Sequence, residues 1–305
     1  MMEPRELSTL IKQRARELGF TACGITRATA VSDDIRRQFD EWIASGANGG
    51  MNYMAGNYEK RMDPTLLVEG CRSIIVVAQN YYTSNVSPYL SRYAQGKDYH
   101  KVVKDKLFQL LQYINQLTPT KGRAFCDSAP VLERYWAVQA GLGWCGKNRQ
   151  LVVPHAGTHF FLGELFIDTE TAYDTPYTAT HCGNCNACID NCPTGALGNK
   201  GLDARKCLSY LTIEHRDKLP GDTGEKMGEC FYGCDRCQSV CPHNRHAHTT
   251  DEKLFYPSEA LLAMQASDWA GMTQERFDEL FHESAVQRCG YLQLMRNIEA
   301  WKRNR

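Results

Sequence analysis

Apolar residues at Leu7, Leu10, Ile11, Ala15 and Leu18 repeat at helical spacing and Gly19 follows as a stop, so an amphipathic helix opens the chain. Residues 21–26 and 73–82 are rich in β-branched and aromatic side chains and predict strands. A second amphipathic helix is expected over 102–117, with Val103, Leu107, Leu110, Leu111, Ile114 and Leu117 on one face. A short strand at 123–127, a helix from about 130 to 140, and strands at 150–153 and 159–168 complete residues 1–174. Strands and helices alternating over that length can enclose a core, which predicts a mixed α+β or α/β domain. Helical patterns return at 274–281 and 291–301, within a short helical C-terminal segment, 247–305. The pattern shows no internal repeat and no low-complexity stretch.

Composition narrows the class. Hydrophobic content of 43% and charged content of 23% are ordinary for a globular chain, which excludes disordered and fibrous classes. Lys plus Arg and Asp plus Glu both number 35, so any contact with nucleic acid needs a local patch rather than bulk charge. The longest apolar runs are too short to span a bilayer, and the N-terminus has no signal-peptide core. Fourteen cysteines at tight spacing, with no secretion signal, point to metal binding in a reducing cytoplasm rather than to disulfides.

Most of these cysteines crowd into residues 175–246. Cys182, Cys185, Cys188 and Cys192, with Pro193, read C-x2-C-x2-C-x3-C-P, the bacterial-ferredoxin run for a 4Fe–4S cluster. Three thiolates of such a run hold one cubane and the fourth reaches a second. Zinc favours two separated ligand pairs, so four thiols in one run argue for iron–sulfur. Cys234, Cys237 and Cys241, with Pro242, repeat the back half of the motif. The missing first position is Phe231, and two substitutes are available, Cys207 upstream and Cys230 one residue off. The crossover rule joins Cys241 to Cys182, Cys185 and Cys188, and Cys192 to Cys234, Cys237 and either Cys207 or Cys230. A ferredoxin-like segment with two 4Fe–4S clusters is expected at 175–246, and spacing alone leaves the last ligand open.

Two other motifs fail. Gly141-Leu-Gly143-Trp-Cys-Gly146 is formally GxGxxG, but it follows a helix and leads into strands, the wrong context for a dinucleotide. It reads as a helix stop plus a close backbone approach. Asp98-Tyr99-His100 starts like the D-x-H-x-x-G box of histidine-ligated cobalamin domains, but position 103 is Val103.

Taken together, the chain resembles the epoxyqueuosine reductase family over nearly its whole length. The resemblance is carried by Arg61-Met-Asp-Pro64, Ser73-Ile-Ile-Val-Val-Ala78, Arg92-Tyr-Ala-Gln-Gly-Lys-Asp-Tyr-His100 and Asp127-Ser-Ala-Pro-Val-Leu-Glu-Arg134. It continues through Gly141-Leu-Gly-Trp-Cys-Gly-Lys-Asn148, Phe161-Leu-Gly-Glu164, the ferredoxin run and Cys207-Leu-Ser-Tyr-Leu-Thr-Ile-Glu214. It implies a base-off cobalamin in an N-terminal domain (1–174), two 4Fe–4S clusters, and tRNA bearing epoxyqueuosine as substrate. It also implies a low-potential electron donor, and Cys207 rather than Cys230 as the eighth cluster ligand. The chain resembles a short form, without the helical-repeat extension of longer members.

The resemblance makes Asp127, between a strand and a helix, the proton donor for epoxide opening. Such a carboxyl needs a pKa raised by an apolar neighbour; the bland alternative is that Asp127 or Ser128 caps the next helix. Corrin contacts are expected from Arg61, Tyr93, Asp98, Tyr99, Ser128, Arg134, Lys147 and Asn148. Arg61 and Lys147 read otherwise as surface charges, and Tyr93 and Tyr99 as half-buried aromatics. The competing readings are a corrinoid reductive dehalogenase, for which residues 1–8 offer no twin-arginine signal, and a ferredoxin-like electron carrier, which needs no N-terminal domain.

Overall fold

Four strands build the central sheet of the computed structural model, in the order Ala22–Arg27, Ser73–Asn80, Phe160–Ile167, Gly122–Phe125. The structure describes residues 2–198 and 201–303. Every neighbouring pair of strands is antiparallel, so of the two expected layer types the sheet is α+β. It therefore lacks the common carboxyl edge at which parallel α/β sheets receive ligands.

Helices cover both faces of the sheet. Ile75 and Val77 join one core with Leu7, Ile11, Val103, Leu107 and Leu110. Ile74, Val76 and Ala78 join the other with Phe39, Trp136 and Ala137. Side chains alternate across a strand, and both directions here lead into a core. That is why Ser73–Asn80 reads as an unbroken apolar run rather than an alternating one. Phe160–Ile167 does the same, with one exception. Glu164 is 0% exposed in the middle of that strand, on the face shared by Leu162 and Phe166.

The elements depart from the expected bounds for local reasons. The second amphipathic helix begins at Tyr99 because Asp98 accepts the His100 N–H at its N-terminus. The next helix runs only from Glu133 to Gln139, leaving residues 126–132 as a loop. A helix at Asp33–Ala44 was not expected, although Ile35, Phe39, Trp42 and Ile43 carry a clear helical period. The GxGxxG look-alike is a helix stop and a close approach. Gly141 takes φ +76°, and a Cβ on Gly143 would lie 2.0 Å from the Val152 carbonyl oxygen.

The C-terminal helices Gln274–Leu280 and Tyr291–Lys302 share a third core with Leu208, Leu211, Phe231 and Tyr232 of the cysteine-rich segment. Leu90 and Ala94 also enter it. Among the described residues no helix is long and apolar enough to cross a membrane.

Candidate active site

A cavity of about 420 Å³ lies between the Asp127 region and the cysteine-rich segment. The N-terminal part lines it with Tyr93, Tyr99, His100, Asp127, Glu133, Arg134 and Asn148; the cysteine-rich segment adds Cys192, Cys207, Cys234 and Cys237. Phe160, Leu162, Leu197, Leu208 and Ile213 make part of the lining apolar. Hydrogen bonds tie the two parts together. The Arg92 N–H donates to Asp235 at 2.7 Å, Gln238 Nε2 donates to the Thr158 carbonyl at 3.0 Å, and Gly50 N–H donates to Tyr210 Oη.

Asp127 sits in the left-handed region at φ +55°, a conformation aspartate tolerates better than most residues. Its amide donates to Glu133 Oε1, and its Oδ2 accepts from the Tyr99 hydroxyl. His100 Nε2 stands 3.7 Å from the same Oδ2, while His100 Nδ1 is 2.7 Å from Asp98 Oδ1. Tyr99 is fixed between rings, stacked at 4.1 Å on both Phe161 and His100. Helix Glu133–Gln139 has Leu132 at its N-cap and no side-chain cap, so Asp127 and Ser128 do not cap it.

The proton distribution differs from expectation. Partial burial opposes charge on Asp127, but the His100 imidazole 3.7 Å away and the hydrogen bond from Tyr99 outweigh it and hold the carboxyl below the usual range. A raised donor carboxyl was expected at this position. Burial likewise opposes charge on His100, yet the Asp127 carboxylate 3.7 Å away and the hydrogen bond to Asp98 push it up to about 9. An imidazole serving two carboxylates needs a proton on each nitrogen. At neutral pH the mobile proton therefore rests on His100, one step behind Asp127.

The thiols fall into two groups. Cys188 lies near Cys241 and Cys182, and Cys241 near Cys182 and Cys185. Cys207 lies near Cys192, and Cys237 near Cys234 and Cys207 and, across the two groups, near Cys188. Cys230 is near Cys234, but its thiol donates to the carbonyls of Tyr232 at 3.2 Å and Gly233 at 3.7 Å. Among the described residues no three His, Cys, Asp or Glu converge as ligands of a single ion do. Ligands of a cubane stand wider, because each thiolate holds a different iron.

Of the expected corrin contacts, Tyr93, Tyr99, Arg134 and Asn148 line the cavity. Four do not. Arg61 is buried, its guanidinium donating to the Tyr53 carbonyl at 3.0 Å beneath the 51–58 turn. Asp98 is spent on helix capping and His100. Ser128 accepts from Lys104 at 2.7 Å. Lys147 donates to the carbonyls of Gly183 and Cys185 and to Asn186 Oδ1, all within 3.0 Å, so it braces the first cysteine loop. His100 and Glu133 were missed. Both stand inside motifs already singled out, His100 two residues after Asp98 and Glu133 six after Asp127, and that shared motif was the signal for them.

Paired cysteine loops beside a cleft with its own proton source define an iron–sulfur oxidoreductase. Two family models match: the epoxyqueuosine reductase QueG model over residues 61–128 and the 4Fe-4S double cluster binding domain over 181–244. The chain is 42% identical to epoxyqueuosine reductase of Cellulophaga algicola, covering 97% of this chain and 98% of that protein. It is 39% identical to that of Escherichia coli, over 98% of this chain and 82% of the other. The chain belongs to the epoxyqueuosine reductase family. A crystal structure of epoxyqueuosine reductase with an epoxyqueuosine-modified tRNA-Tyr stem loop superposes with TM-score 0.90 at 26% identity, covering 98% and 81% of the two chains. The Bacillus subtilis enzyme, described with its catalytic loop aspartate swung out of the active site, gives 0.88 at 25%, covering 98% and 82%. A catabolic reductive dehalogenase gives 0.50 at 16%, covering 95% and 39%, a likeness of fold alone.

Proposed function

We propose that this protein reduces epoxyqueuosine in tRNA to queuosine in the cytoplasm, with electrons from a low-potential donor passing through two 4Fe–4S clusters. Cys182, Cys185, Cys188 and Cys241 hold one cluster, and Cys192, Cys207, Cys234 and Cys237 the other. One observation carries the reading: a single cavity is lined both by the Asp127–His100 pair and by the four thiols of the second group. Electrons and protons are delivered to the same space. The tRNA stem loop bound to a structural neighbour supports the substrate, and the catalytic loop aspartate of the Bacillus subtilis neighbour supports Asp127.

The lining fits a base-off cobalamin, a broad ring with polar amide arms. Phe160, Leu162 and Ile213 offer apolar surface, and Arg134, Asn148 and Gln150 offer a sparse set of polar groups. Tyr93, Tyr99, Arg134 and Asn148 would hold it. When bound it supplies the nucleophilic, redox-active centre for carbon–oxygen cleavage. The overall reaction, epoxide plus two electrons and two protons to alkene and water, needs protons at the leaving oxygen. Tyr99 orients Asp127 Oδ2, and His100 holds a proton 3.7 Å from that oxygen. Asp127 passes the proton on, and His100 recharges it. The test is anaerobic assay of the reconstituted holoenzyme on tRNA bearing epoxyqueuosine, with nucleosides identified by mass spectrometry. Queuosine is the expected product; none from protein with full iron and bound cobalamin refutes the assignment.

A further inference from the structure

Glu164 is the anomaly of the central sheet. It is fully buried within the apolar strand Phe160–Ile167, and neither carboxyl oxygen receives a donor from the amides, hydroxyls or cations around it. An isolated ionised carboxylate there would be very costly. What it does face is Glu133, at the start of the helix packed on that side of the sheet. Two carboxyls in contact are favourable only when at least one of them is protonated. Glu133 is also the acceptor for the Asp127 amide.

We infer that Glu133 and Glu164 form a proton-sharing carboxyl pair that latches the Asp127 loop in its reactive position. The inference rests on the reading of Asp127 as proton donor. One protonated carboxyl donates to the other, which leaves Glu133 Oε1 free to accept the Asp127 N–H. That bond holds a non-glycine residue at φ +55°, a conformation that needs support from its surroundings. When both carboxyls ionise they repel each other. Glu133, the partner that lines the cavity, then turns outward and releases the loop. Burial and the Asp127 charge push Glu133 up to about 8, and burial together with Glu133 pushes Glu164 further up, so the pair keeps a proton through neutrality and release belongs to its second ionisation, in the alkaline range. Asp127, Arg134 and His100 face Glu133, and Asp127 also faces Glu164. Cys126 stands beside the pair as a neutral thiol, its ionisation pushed well up by burial.

The experiment follows amide hydrogen exchange of residues 126–131 in the holoenzyme between pH 7 and 10, corrected for intrinsic base catalysis. Turnover is measured in parallel. In the wild type, protection of the Asp127 amide should fall by about tenfold per pH unit once the pair titrates. Glu164→Gln is close in shape and its amide donates to Glu133 at every pH. It should flatten the protection profile and leave the alkaline limb of turnover to the His100 titration alone. Glu133→Ala should lose protection throughout and reduce turnover by about tenfold or more. Identical pH profiles for wild type and Glu164→Gln, or intact protection in a folded Glu133→Ala, would overturn the latch. Full activity of Asp127→Asn would instead overturn the proton-donor reading alone, because exchange is read without turnover.

Discussion

Replacing Asp127 by Asn separates charge from shape. The amide keeps an oxygen to accept the Tyr99 hydroxyl but removes both the titratable proton and the negative charge beside His100. The charge has a calculable consequence. Asp127 and His100 are 3.7 Å apart, and the Asp127 side chain is 54% exposed, so a water-like dielectric gives the conservative estimate, about 1 kcal/mol. That lowers the His100 pKa by about 0.8 unit or more. Asp98 still holds the other nitrogen at 2.7 Å, so His100 should remain above a free histidine.

The sign for stability follows. A histidine raised to about 9 contributes stability that is complete below its unfolded pKa of about 6.5 and is lost as pH rises through about 9. In Asp127→Asn that loss should come at lower pH. Turnover should fall by about 10² to 10⁴, the range for losing a general acid, while iron and cobalamin content stay at wild-type levels. Single-turnover assays under anaerobic conditions give the rate, and NMR titration of labelled histidine gives the pKa. Near wild-type turnover, or an unmoved His100 titration, would refute the relay.

Three further outcomes check the rest of the architecture. Cys207→Ala should remove about half the iron and Cys230→Ala should leave it intact, as counted by iron analysis and electron paramagnetic resonance, because the Cys230 thiol is already committed to the Tyr232 and Gly233 carbonyls. Lys147→Met removes three donors from the first cysteine loop. It should speed loss of that cluster to a chelator by about fivefold, the size of a surface interaction near 1 kcal/mol, without affecting the second cluster. Gly143→Ala should cost about 3 kcal/mol or more in chemical denaturation, since its Cβ would lie 2.0 Å from a carbonyl oxygen that has no room to yield.

What was legible in the sequence divides by the range of the interaction. The double-cluster segment was legible because its cysteines stand in short runs whose spacing is itself a geometric signal. The strands Ser73–Asn80 and Phe160–Ile167 were legible as apolar runs. Such runs say that both faces are covered but not how the strands pair, so the antiparallel order emerged only from the structure. Helix Asp33–Ala44 was missed although its period is present, because Phe39 alone is buried and charges crowd its other positions. Lys147 and Arg61 were assigned to a cofactor because they stand in motifs of the resemblance. Motif membership does not say which way a long cation points, and these two point at backbone carbonyls.

The proton chemistry was the least legible part, and the reason is physical. The carboxyl of Asp127 was expected to be raised and is held low instead, since a pKa is set by neighbours and the neighbours come from separate stretches of chain. Tyr99 and His100 arrive from the start of one helix, Glu133 from the start of another, and Glu164 from the middle of a strand whose other positions are apolar apart from Gly163. No spacing rule links positions 100, 127, 133 and 164. A single sequence does offer one local clue: a glutamate inside a strand buried on both faces is unstable unless something neutralises it. Nothing else in Phe160–Ile167 can do so. The partner must come from the adjoining layer, and on that face of the sheet the packed helix begins with Glu133; two such carboxyls coexist only while at least one is protonated. A buried acid in an apolar strand is therefore a pointer across the fold. Here it points to the loop that carries Asp127.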